Sequence, residues 1–192
     1  MDKATQHILP LTVGELATRC YVLWLEGRDD CLVIDPGAEA ETIRRACGGK
    51  RIAAILLTHG HFDHIGAVRE LMAEDTVLAV HRLDAPLLSD PQANVSWMLG
   101  RSVTAPAPTR LLEEGDEVEA AGMTLQVLHT PGHTPGGACY QAEDALFTGD
   151  TMFHAGYGRT DLPGGSDAEL GRSLHRLYPL ARKYTVYPGH GG

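Results

Sequence analysis

The stretch THGHFDHIG, from Thr58 to Gly66, places His59, His61, Asp63 and His64 directly after the apolar run Ile52 to Leu57. That run has strand length, and beyond the motif Ile65, Val68, Leu71 and Met72 recur at helical spacing. The motif therefore sits on a loop between a strand end and a helix start. On an extended loop alternate side chains share a side, so His59 and His61 can aim at one ion while Asp63 and His64 point elsewhere, toward a second. Imidazole nitrogen and carboxylate oxygen suit zinc, and also iron or manganese.

Three further polar residues fall where predicted strands end in Gly or Pro turns: His133 in TPGHTPGG, Asp150 in FTGDTMF and His190 in YPGHGG. Each directly follows a glycine, and strand-end loops are where a rigid scaffold presents its ligands. Singly, each reads better as a hydrogen-bonded core histidine or a turn aspartate than as a ligand. Together with the first cluster they read as one centre. Asp35, closing the strand CLVID, either orients a ligand histidine from behind or caps a turn. His7, His81, His129, His154 and His175 fall outside this pattern and are given no ligand role.

The rest of the chain supplies a scaffold. RCYVLWL (19–25) and CLVID (31–35) read as paired strands with EGRDD as their turn, and AEAETIRRAC reads as a helix stopped by Gly48 and Gly49. VLAV (77–80) is another buried strand. A less regular segment follows, from His81 to Arg110, with four prolines. Connections this long often form lids or binding loops, and Trp97 and Met98 can furnish an apolar substrate wall or fill local core. EVEA, MTLQVLH, GGACYQ, ALFTGD and YTVYP continue as strands, and SDAELGRSLHRLY (166–178) opens on a capping-box pattern, Ser166 with Glu169. Strands and a helix in both halves predict two mixed β-sheets packed together with helices outside, a four-layer αββα sandwich in a single domain, 1–192.

Composition narrows the partners. Of 192 residues, 43% are hydrophobic, enough for a sizeable core. The net charge of −9 and the absence of a basic run argue against nucleic acid as a partner. The first twenty residues lack a signal-peptide pattern, and no apolar stretch is long enough to span a bilayer. Cys20, Cys31, Cys47 and Cys139 form no CxxC pair, which fits buried thiols in a reducing compartment. The expectation is a cytoplasmic enzyme acting on a small molecule, with no membrane partner.

The ordered set HxHxDH, His, Asp, His resembles the metallo-β-lactamase superfamily, and the resemblance spans essentially the whole chain. It implies the αββα sandwich, one metal on His59, His61 and His133, a second on Asp63, His64 and His190, and Asp150 bridging both. An aspartate at 150, where true β-lactamases commonly place cysteine or serine, is similar to glyoxalase II, lactonases and other branches. The string GDTMFHAGYGRTDLPGG (149–165) is similar to small glyoxalase II-like hydrolases, and GRTD recurs in related persulfide dioxygenases. Full-length glyoxalase II carries a C-terminal helical domain that helps bind glutathione; the chain stops two residues after His190, so that domain is expected to be absent. Short relatives usually continue past PGHG, so an end clipped after PGHGG fits equally.

The resemblance implies a dinuclear zinc hydrolase of acyl thioesters such as S-lactoylglutathione, attacking through a metal-bridging hydroxide that Asp63 orients or from whose parent water it receives a proton, although metal ligation alone explains Asp63 as well. Arg159, on the glycine-rich loop after Asp150, is the candidate for binding an anionic substrate group; an internal salt bridge with Asp161 is the competing role. A mononuclear iron persulfide dioxygenase using His59, His133 and Asp150 is the alternative enzyme. Lactonase and phosphodiesterase chemistry share the same nucleophile.

Overall fold

A computed structural model describes residues 4–191. The first sheet runs, in spatial order, β1 (Gln6–Val13), β2 (Thr18–Leu25), β3 (Asp30–Ile34), β4 (Arg51–Leu56), β5 (Val77–His81) and β6 (Arg110–Leu112). Its first two pairings are antiparallel and the remaining three parallel. The second sheet runs β11 (Thr185–Pro188), β10 (Ala145–Gly149), β9 (Ala138–Ala142), β8 (Met123–His129) and β7 (Glu117–Ala120). Only β10 and β11 pair in parallel there. Both sheets are therefore mixed, as expected.

The period of two along each strand divides the core into layers. Val22, Val33, Ile55 and Leu57 of the first sheet face outward onto Ile43 of α1 (Ala40–Ala46) and Val68 of α3 (Val68–Leu71). Their neighbours Leu23, Leu32, Ile34 and Leu56 face inward and meet Leu125, Val127, Tyr140 and Phe147 of the second sheet. Cys139 and Leu146 then face outward again, onto Leu170, Leu174 and Leu177 of α4 (Asp167–Ala181). Helix, sheet, sheet and helix make the four layers of an αββα sandwich.

Four local details differ from the sequence reading. The strand β1 escaped it because Pro10 sits inside a half-exposed segment, tolerated at a sheet edge where one side of the backbone is unpaired. The three-residue β6 is too short to carry a pattern. Helical spacing after the HxHxDH motif resolves into two single turns, α2 (Phe62–Ile65) and α3, because the Ala67 N–H donates to the Pro36 carbonyl at 2.9 Å instead of continuing one helix. At the start of α4 only half the capping box forms: Ser166 Oγ accepts from the Glu169 N–H at 3.3 Å, but the Ser166 N–H donates to Gly132 O at 2.8 Å. Glu169 pairs instead with Arg172.

The His81-to-Arg110 connection contains two 3-10 turns, Ala85–Ser89 and Ser96–Leu99. Buried Asn94 staples it, its Nδ2 donating to Leu87 O at 3.0 Å and Val103 O at 2.9 Å. No helix among the described residues is long and apolar enough to cross a membrane.

Candidate metal centre

The residues singled out in sequence converge on one edge of the sandwich. β4 runs into Thr58 to His61, β8 into the loop carrying His133, β10 into Asp150, and β11 into His190. The two sheets thus deliver their strand ends side by side. Close approach demands glycine at two of these ends. A Cβ on Gly149, which sits at φ 48°, would strike Thr58 Oγ1; one on Gly189 would strike Asp150 Oδ1.

Three sets of side chains offer ligand atoms within 4.8 Å of one another: His59, His61 and His133; His59, His64 and Asp150; and Asp63, His64 and His190. Asp150 reaches both sides, with Oδ2 at 3.5 Å from His133 Nε2 and 3.4 Å from His190 Nε2, and Oδ1 at 3.4 Å from His64 Nε2. Asp63 Oδ2 lies 3.4 Å from His64 Nε2 and 3.3 Å from His190 Nε2.

Hydrogen bonds on the far side of the rings fix which nitrogen faces the centre. His64 Nδ1 donates to Asp35 Oδ2 at 2.9 Å, His133 Nδ1 to the Arg159 carbonyl at 2.6 Å, and His190 Nδ1 to the Leu16 carbonyl at 3.1 Å. Thr58 Oγ1 donates to Asp35 Oδ2 at 2.6 Å, so its oxygen accepts from His59 Nδ1 at 3.1 Å. These acceptors hold the Nδ1 proton of all four rings and turn Nε2 toward the centre, the orientation a metal ligand requires. His61 differs, with Nδ1 at 3.0 Å from His133 Nε2, so these two nitrogens face the same point.

Nε2 of His59 and His64 and Oδ1 of Asp150 are buried without a hydrogen-bond partner. Orphaned buried polar atoms are costly, and a cation is the one occupant that satisfies lone pairs from imidazole and carboxylate at once. The donor set fits a pair of divalent ions. Burial depresses His59 strongly, and burial with neighbouring His133 holds His61 down to about 3, so both present free lone pairs at neutral pH. Burial also opposes charge on Asp63, yet His64, His190 and the Thr18 hydroxyl, which donates to it at 2.7 Å, outweigh burial and hold the carboxyl at about 2. In the same way His64 and His190 keep Asp150 ionised against its burial.

Asp35 therefore answers the question its sequence position raised. Fully buried, it also accepts the Thr58 N–H at 2.7 Å and sits behind two histidines rather than only capping a turn. Asp84 went unnoticed in the sequence. Its buried carboxylate accepts from Gly60 N at 2.9 Å, Thr134 Oγ1 at 2.7 Å and Gly136 N at 2.6 Å, joining the loop of His59 and His61 to the loop of His133. Its one sequence signal was its place just beyond a strand end, on the same edge as the other loops.

A cavity of about 380 Å³ opens over the centre. Its walls include His61, Asp63, His133, Asp150 and His190, with Phe62, Met98, Leu99, Phe153 and Leu162. Met98 lines it as expected; Trp97, half exposed beside it, does not. Arg159 lines it too, but its guanidinium is gripped by Asp161 through two 2.6 Å bonds, the competing role.

Residues 13–190 match the Metallo-beta-lactamase superfamily. Three curated relatives are similar along the chain. The probable metallo-hydrolase YqgX of Bacillus subtilis is 39% identical, covering 94% of this chain and 88% of that protein. Hydroxyacylglutathione hydrolase GloC of Haemophilus influenzae is 32% identical, covering 96% and 90%. The hydroxyacylglutathione hydrolase of Aeromonas hydrophila is 36% identical over 88% of this chain but only 60% of its own length. Among solved structures, BLEG-1 B3 metallo-beta-lactamase superposes with a TM-score of 0.89 at 35% identity, covering 97% of this chain and 92% of that one. TTHA1623 in a di-iron-bound form gives 0.84 at 38%, covering 96% and 92%. In sequence and in fold alike, the chain belongs to the metallo-beta-lactamase superfamily.

Proposed function

We propose that this metal-dependent hydrolase is a dinuclear thioesterase of the glyoxalase II type. One observation carries the reading: three overlapping ligand sets with partnerless buried atoms adjoin a substrate-sized cavity that His61, Asp63, His133, Asp150 and His190 line. Similarity to two hydroxyacylglutathione hydrolases supports the thioester as the bond attacked.

His59, His61 and His133 would hold one ion, Asp63, His64 and His190 the other, and Asp150 would touch both. We assign zinc, with iron as the second reading because the similar TTHA1623 carries two irons. When bound, such ions supply Lewis acidity, polarising an acyl carbonyl and bringing the pKa of water near 7. Asp63 lines the cavity with its Oδ2 already anchored by Thr18, so it orients the attacking water and accepts its proton. His133 and Asp150 line the same cavity as Asp63, and Phe62, Met98, Leu99, Phe153 and Leu162 give it an apolar wall. A thiolate, whose conjugate acid has a pKa of about 8.5, departs without a general acid, and no wall residue has to supply one.

The test is turnover of S-lactoylglutathione and of neutral acyl thioesters by zinc-reconstituted protein, beside Asp63→Asn. The wild type should hydrolyse at least one thioester, and the variant, which loses both the proton acceptor and a charged ligand of the second ion, should lose about 100-fold in kcat and bind its second zinc more weakly. Absence of all thioester turnover, or oxygen consumption with a persulfide by the iron form, would overturn the reading.

A further inference from the structure

We propose that the cavity selects its thioester by an uncharged, apolar acyl chain, and that glutathione, with its two carboxylates, is the poorer thiol. This rests on the hydrolase reading above and specifies its substrate class.

The walls carry the argument. Three separate segments contribute them: Leu16 from the β1–β2 turn, Met98 and Leu99 from the long connection, and Phe153 and Leu162 from the loop after β10. Phe62 joins them from the HxHxDH loop itself. Leu16, Met98 and Leu99 are 46%, 53% and 45% exposed, so large apolar side chains surround the mouth uncovered. Contiguous exposed apolar surface next to a reactive centre marks a ligand that is itself apolar.

Charge points the same way. Apart from the histidines of the centre itself, the one basic side chain among the described residues lining the cavity is Arg159, and Asp161 already engages its guanidinium with a bidentate pair. At the adjoining lip Arg101 is matched by Glu15 at 2.7 Å. An anionic substrate arm would have to share the Arg159 guanidinium with a carboxylate that already holds its Nε and Nη2, whereas an alkyl chain gains burial with no competitor. About 380 Å³ admits a medium-length acyl chain together with its thioester group.

The experiment compares acetyl, butanoyl, hexanoyl and octanoyl thioesters of N-acetylcysteamine with S-lactoylglutathione on the zinc-reconstituted full chain. Each buried methylene contributes about fourfold, so octanoyl should exceed acetyl in kcat/KM by at least about 100-fold with part of the chain left at the open mouth. Met98→Asp and Leu99→Asp, both at half-exposed positions, should each lower the octanoyl-to-acetyl ratio at least tenfold. Asp161→Asn, which releases Arg159, should raise turnover of S-lactoylglutathione relative to the octanoyl thioester about fivefold. Calorimetric binding of the uncleavable S-octyl and S-ethyl thioethers of N-acetylcysteamine gives a second readout, with S-octyl expected at least tenfold tighter.

A flat chain-length profile, or preference for S-lactoylglutathione, overturns this inference while thioester hydrolysis stands. Tight S-octyl binding without turnover of any thioester overturns the hydrolase reading and leaves the apolar selectivity supported.

Discussion

Asp35 holds a left-handed backbone, φ 51°, at the end of β3, an uncommon conformation for anything but glycine. What maintains it is the set of donors around its carboxylate: the Thr58 amide and hydroxyl and the His64 ring. Because the Thr58 hydroxyl also receives the His59 ring proton, one carboxylate sets the tautomer of two candidate ligands. Removing such a support behind a metal ligand typically costs 10- to 100-fold in metal affinity, roughly 1.4 to 2.7 kcal/mol. Asp35→Asn replaces one acceptor oxygen with a donor facing the Thr58 hydroxyl and the His64 N–H. Its zinc affinity in a competition titration should drop by that factor, and unchanged affinity would show that Asp35 merely caps its turn. The candidate ligand residues, which the fold brings together, were legible in sequence because HxHxDH is local and the other three each follow a glycine. Asp84 was not, since it lies 24 residues from Gly60 and 50 from Thr134, and only folding brings them together.

At the level of elements, β5 and β8 belong to different sheets yet end side by side, where His81 and His129 stack with ring centroids 4.0 Å apart at 8°. His129 continues into the His133 loop, its Nε2 donating to the Pro135 carbonyl at 2.9 Å. Burial foremost, then His129 and Arg82, push His81 down to about 4, with Asp116 and Glu114 opposing weakly. A depressed histidine is neutral in the fold, so below its unfolded pKa near 6.5 the unfolded chain binds the extra proton. Stability is therefore lost as pH falls from about 6.5 toward 4. From pH 7.5 to 5 this amounts to about 2 kcal/mol. Denaturant titrations of wild type and His81→Gln at both pH values should show the wild type losing that much more; equal losses would remove His81 as the cause. The strands were mostly visible as apolar, β-branched and aromatic runs bounded by turns, whereas β1 was hidden by Pro10 in a half-exposed edge segment and β6 by its length of three residues, and the split between α2 and α3 depends on the distant Pro36 carbonyl.

The whole molecule is a way of aligning strand ends. Two mixed sheets share the inner core of Leu23, Ile34, Tyr140 and Phe147, and that packing fixes the register in which β4, β8, β10 and β11 meet at one edge. The αββα class was readable because both halves repeat strands and a helix. The substrate was not, because the cavity wall is assembled from four segments that have no shared pattern, and because the sequence left open whether Arg159 meets a substrate anion or Asp161. Everything proposed about chemistry depends on the edge holding two ions. The most direct measurement is metal stoichiometry by native mass spectrometry after zinc titration of the chelator-stripped chain. The account predicts two ions per chain in the wild type, and one in His190→Ala, where the set of Asp63 and His64 loses its third member. A wild type that binds one ion or none, or a His190→Ala variant that still binds two, would contradict it.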